Sequence, residues 1–179
     1  QPLTPSYSWD AWKRCTRWVL PLAMVSAGLA AEPVLRVVRS SQTGSALLQN
    51  GSFEEAQAAS AVHWQRSPKG YQLVRGQGRG GSQAVLCENP SSEGWFGVSQ
   101  TLALNRTTGP LVVRGSSKAE KVSGSADNNY SIYVDLVYTD GTPLWGQTGN
   151  FRCGTHDWEQ REFLILPDKP IKTLTLHCL

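Results

Sequence analysis

The sequence is poor in the residues that do chemistry. Its three histidines, His63, His156 and His177, stand in unrelated contexts, and neither Gly-x-Ser-x-Gly nor Ser-x-x-Lys occurs, so no template for an activated nucleophile is present. Glu54 with Glu55 and Asp157 with Glu159 are neighbours in sequence only, whereas glycoside hydrolysis needs two carboxyl groups facing each other across a bond. Solvated surface charge is the simpler reading of both pairs, and His156-Asp157 ahead of Trp158 reads as a turn. No Cys-x-x-Cys or Cys/His spacing suggests zinc. The one glycine cluster, Gly76 to Gly81, is followed by a strand-like run with no Lys-Ser/Thr, which makes it a flexible turn and excludes a phosphate loop. A concentrated basic patch, the footprint of a nucleic-acid binder, is missing too.

What is present begins with a charged and then apolar N-terminal stretch. Lys13, Arg14 and Arg17 precede fourteen uncharged residues, Trp18 to Ala31, that end in small side chains. A charged region, an apolar region and small residues at the exit are the parts of a secretory signal peptide. A helix of that length spans roughly 21 Å, short of the ~30 Å hydrocarbon core. A short buried helix and an uncleaved signal anchor are the alternatives. We read residues 1–31 as a leader cut near Ala30 or Ala31, 32–45 as a linker or edge strand, and 46–179 as one domain with no membrane segment in the mature form. Of the 17 Lys and Arg, three leave with the leader, and of the 14 Asp and Glu only Asp10 does, so the mature domain is nearly neutral. Cys15 leaves as well; Cys87, Cys153 and Cys178 remain, an odd count that implies one disulfide with a free thiol, or a partner further along the chain. The only methionine is Met24, and the chain stops inside the alternating run Lys172 to Cys178, so we read it as a fragment of a larger exported protein with a further domain beyond Leu179.

Between these ends, strand-like segments closed by Gly, Pro, Asn, Asp or Ser recur every ten to fifteen residues: 46–48, 63–65, 71–74, 83–87, 97–104, 110–114, 130–138, 161–166 and 173–178. That spacing predicts an all-β sandwich or jelly roll. Only 53–62, rich in Glu, Ala and Gln, reads as a possible two-turn helix. Alternation puts Tyr130, Ile132, Val134, Leu136 and Tyr138 on a core face and Ser131, Tyr133, Asp135 and Val137 on the other. Asp140-Gly141 then makes a tight hairpin turn. Leu174, Leu176 and Cys178 face inward in the last strand, while Thr173, Thr175 and His177 face outward.

Aromatic residues are the informative surplus. Flat rings stack on the apolar face of a sugar, and the same rings fill cores. Trp158, just ahead of a strand, reads as core. Trp145, in a Gly- and Thr-rich stretch read as a loop, and Trp95, between Gly94 and Gly97, read as exposed stacking platforms; Tyr133 and Asp135 share the non-core face of one strand. Asn50, Asn105 and Asn129 each open an Asn-x-Ser/Thr triplet, a glycan acceptor in a eukaryotic secretory pathway.

Several runs then resemble one family in order. Leu47-Leu48-Gln49-Asn50-Gly51-Ser52-Phe53-Glu54, His63-Trp64, Gly80 to Val85, Val98-Ser99-Gln100-Thr101-Leu102, and Gly154-Thr155-His156-Asp157-Trp158 with 163–167 are similar to carbohydrate-binding modules attached to bacterial xylanases and other glycosidases. The resemblance covers about 46–179 and implies a galactose-binding-like jelly roll lacking its final strand. It also implies a structural calcium that would use Glu54 together with an aspartate of that missing strand. The expectation is therefore non-catalytic binding of a polysaccharide or glycan, with Trp95, Trp145 and Tyr133 stacking and Asp135 and Gln147 as polar partners. A structural or protein-interaction module is the alternative, with any enzymatic activity in a neighbouring domain.

Overall fold

A computed structural model describes residues 46–89 and 96–179. The leader and linker expected over 1–45, and Trp95, lie outside the described residues. Eleven strands follow one another: β1 (Ala56–Gln57), β2 (Ser60–Ala61), β3 (Gln65–Arg66), β4 (Tyr71–Val74), β5 (Ala84–Cys87), β6 (Val98–Thr107), β7 (Leu111–Val122), β8 (Ser131–Tyr138), β9 (Pro143–Asn150), β10 (Gly154–Ile165) and β11 (Ile171–Cys178). Among the described residues one 3-10 turn, Arg79–Gly81, sits in the glycine cluster. The all-β expectation holds: every strand pairing is antiparallel, in a five-stranded sheet of order β3-β6-β11-β8-β9 and the pairs β10-β7, β4-β5 and β1-β2. Among the described residues no helix is long and apolar enough to cross a membrane.

The alternation read for β8 is found from Ile132 to Tyr138, whereas Ser131, read as outward, is buried, its hydroxyl donating to Asn128 O at 2.8 Å. Ile132, Val134, Leu136 and Tyr138 are buried, as are Leu174 and Leu176 beside them on β11. Leu111 and Val113 of β7, Ile165 of β10 and Phe151 join them in one core. Contact between the layers is close enough to require glycine. A Cβ on Gly115 of β7 would stand 2.7 Å from Ile132 Cδ1, and one on Gly149 of β9 would stand 2.9 Å from Phe163 Cδ1 of β10. The β7-β10 pair thus lies on the core face of the five-stranded sheet, and period-two alternation leaves the opposite face to Tyr133, Asp135, Thr173, Thr175 and His177.

Four local expectations are corrected. The segment 53–62 is not a helix but the β1-β2 hairpin, turned by Ala58 and Ala59 at φ 46° and 60°. Asn50 dictates it: its Nδ2 donates to the carbonyls of Glu55 (2.8 Å) and Val62 (3.0 Å), while its Oδ1 accepts the Glu55 N–H. Residues 46–48 are not a strand. The side chain of Gln100, 5% exposed, instead pairs with the backbone of Gln49 in both directions at 2.9 Å and takes the place of a ladder partner. Trp145 lies within strand β9, not in a loop, because β9 completes the Asp140-Gly141 hairpin; there Gly141 N–H donates to Tyr138 O at 3.0 Å. Trp158 is half-buried rather than core, at a register shift between His156 and Glu159 where β10 breaks step with β7.

Candidate binding face

The face of the five-stranded sheet that turns away from β7 and β10 carries an aromatic and polar strip. At its centre Tyr133 and His177, cross-strand partners on β8 and β11, meet edge to face with ring centroids 5.8 Å apart. Asp135 and Thr175, the next pair on the same face, sit directly opposite each other. Thr175 and Thr101 of β6 share a hydroxyl hydrogen bond of 3.0 Å, and Thr148 of β9 stands opposite Tyr133. The strip therefore runs across four strands. A row of hydroxyls, one carboxylate and two rings is the donor and acceptor inventory that a polyhydroxylated ligand needs.

Asp135 organises the edge of this strip. The β8-β9 register shifts between Val134 and Leu136, and the extra residue falls at Trp145-Gly146. Gly146 adopts φ 72°, the left-handed region that suits glycine, and its N–H donates to Asp135 Oδ1 at 3.0 Å. This bulge turns Trp145 outward, 57% exposed. A Cβ on Gly146 would lie 3.7 Å from the Tyr133 hydroxyl, so the Tyr133 ring leans toward the bulge. Its hydroxyl donates to the Asp135 carboxylate; partial burial and that negative charge push the Tyr133 phenol above its ordinary pKa. Burial holds the His177 imidazole below its ordinary value, although the Asp135 charge works against it.

Of the residues expected at the site, Tyr133, Asp135 and Trp145 come together. Gln147 does not: it stands opposite Val134, whose side chain is in the core, so alternation sends it to the other face, and its Nε2 donates to Trp145 O at 3.1 Å. His177, Thr175, Thr101 and Thr148 are the members that sequence reasoning left out. The outward alternation of β11 carried the signal for two of them, but only the pairing of β11 with β8 sets them beside Tyr133. An open depression of ≈ 430 Å³, lined by Asp127, Asn128, Asn129, Tyr133 and Leu179, adjoins the Tyr133 end of the strip.

Several other titratable groups are engaged in structure. Both ring nitrogens of His156 stand 2.8 Å from carbonyl oxygens, those of Asp157 and Arg152. Glu159 pairs with Arg161 and with Arg152 at 3.4 Å, and Asp157 with Lys118 at 3.5 Å. Glu54 Oε1 accepts the Gln83 N–H at 2.9 Å, and among the described residues no group of three His, Cys, Asp or Glu converges. No model of a known protein family matches the chain, and no match is found among curated proteins.

Proposed function

We propose that this chain is a jelly-roll module of the galactose-binding-like type that binds a polysaccharide or glycan, without changing it, on the open face of its five-stranded sheet. The observation that supports this most is the outward bulge at Trp145-Gly146 beside the Tyr133–His177 pair, which sets an exposed indole next to a strip of hydroxyls and a carboxylate. The indole and the phenol ring stack on the CH face of a sugar. Asp135 and the threonines of the strip bond to its hydroxyls, and the open face admits a chain end to end. In this reading the module is exported.

A second reading, a protein-contact module, draws on the opposite surface. On the outer side of β7 and β10, Val112 and Leu164 face each other 41% and 44% exposed, with Leu166 64% exposed nearby. Exposed apolar side chains gathered on one face suit a protein partner better than a sugar.

A glycan array and insoluble-polysaccharide pull-down separate the two readings. Binding that Trp145→Ala and Tyr133→Ala each weaken at least tenfold, with circular dichroism unchanged, supports the sugar face. Trp95→Ala run alongside reports whether that indole contributes. Absence of binding across plant, microbial and host glycans would overturn the sugar reading and favour the protein contact.

A further inference from the structure

Two of the three cysteines in the domain lie at the same end of the sandwich. Cys178 follows Leu174 and Leu176 on the inward side of β11 and packs against the core. Cys87 shares its side of β5 with Val85, which also packs against the core, while Leu86 between them points out, 38% exposed. Cys87 pairs with Tyr71, another core-packed residue. Cys178 thus packs on the inward side of β11, and alternation puts Cys87, exposed at the end of β5, on the same side of its strand as Val85.

The segment Phe96-Gly97-Val98 locates them relative to each other. Glu88, the neighbour of Cys87, donates its N–H to Gly70 O at 2.8 Å, and a Cβ on Gly70 would stand 2.7 Å from Phe96 Cδ1. On its other side the segment meets Cys178. Val98 is the register partner of Cys178, and a Cβ on Gly97 would fall 2.0 Å from the Cys178 carbonyl oxygen. One short stretch of backbone thus touches the end of the β4-β5 pair that carries Cys87 and the end of β11 that carries Cys178. Cys153 lies elsewhere, in the turn between β9 and β10 and within electrostatic reach of Tyr130.

We infer that Cys87 and Cys178 form a disulfide when the protein meets an oxidising compartment, joining the β4-β5 pair to the central strand β11. The oxidant is a low-molecular-weight disulfide such as glutathione disulfide. One protein thiolate attacks it, a mixed disulfide forms and a first reduced thiol leaves. The second cysteine then displaces the other, so two protein S–H groups become one S–S bond and the two protons end on two released thiols. Burial pushes the Cys178 thiol up to about 12, and the nearby Cys87 adds to the rise; burial likewise lifts Cys87 to about 11 although the residue as a whole is exposed. Thiolate is therefore scarce at neutral pH, and the bond forms slowly, faster as pH rises. Cys153 is left as the free thiol of the odd count.

Trypsin places the four cysteines of the chain on four different peptides, which makes the linkage directly readable. The full chain is incubated with oxidised glutathione, alkylated in denaturant, digested without reductant and mapped by mass spectrometry. The expected species is peptide 80–106 joined to peptide 173–179, with an intact mass about 2 Da lower and Tm higher by roughly 15 °C, as closing a loop of about ninety residues implies. Cys153→Ser retains the linkage and the Tm rise, and Cys87→Ser loses both. Linkage of either cysteine to Cys153, or recovery of 80–106 and 173–179 both alkylated after oxidation at pH 8.5, would overturn the inference. Because the primary readout is the wild-type map, a variant that fails to fold does not cloud the result.

Discussion

At the scale of single residues, a few polar side chains decide the local structure. Asn50 shows this most clearly: its amide holds both ends of the β1-β2 hairpin, and its own carbonyl receives Trp64 Nε1–H at 2.9 Å. Asn50→Ala leaves the Glu55 and Val62 carbonyls without their donor, and a loss of about 1–3 kcal/mol is expected in urea unfolding. The same geometry bears on its Asn-Gly-Ser triplet, because a glycan on Nδ2 removes a donor that the fold uses, whereas Asn105 and Asn129 are exposed. His177 works through charge. Its folded pKa lies below the ordinary value near 6.5, so as pH falls through that value the unfolded chain takes up the proton first and stability declines. Burial acts to raise Glu159, yet the Arg152 N–H and the Arg161 charge outweigh it and hold the carboxyl low. The stability Glu159 gives is therefore present above its usual value near 4.5 and lost as pH drops further. Two windows of acid destabilisation are expected in chemical melts, and His177→Gln is expected to flatten the upper one while leaving the lower.

At the scale of elements, the long strands were legible and their interruptions were not. The inward series of β8 and the last strand could be read from period-two alternation alone, because burial of one face enforces it. Strand β9 was hidden because its run, Pro143 to Asn150, holds two glycines that look like loop signals. Gly146 is there for a left-handed bulge and Gly149 for the approach of Phe163, and neither reason is visible without the partner strands. The same blindness misplaced Gln147, since the bulge flips the alternation of everything after it. Tyr133 and Asp135 could be singled out because aromatic and acidic residues on an outward face are unusual by themselves, and Trp145 because its stretch read as an exposed loop; His177 and the threonines gain meaning only from neighbouring strands. The bulge also assigns Asp135 a structural duty that can be separated from ligand contact. Asp135→Ala frees the Gly146 N–H and is expected to destabilise by about 1 kcal/mol, while Asp135→Asn keeps the acceptor and stays near wild type in the same thermal melts. If both variants bind glycan equally poorly, the carboxylate charge contributes to the ligand beyond holding the bulge.

At the scale of the whole described domain, the two faces of the sandwich divide its surface chemistry. Hydroxyls and rings occupy one outer face, and aliphatic side chains with the Arg114–Glu162 ion pair occupy the other, so the two proposed kinds of contact would not compete. The order of the five-stranded sheet has a consequence of its own. Strand β11 sits between β6 and β8, bonded to both, yet it follows both of them, and β9, in the chain. Until it emerges, β3-β6 and β8-β9 remain two separate pairs with open edges, each below the three strands that independent stability requires. The nascent chain thus cannot close this sheet until β11 has been made, and for that interval it depends on whatever shields those edges.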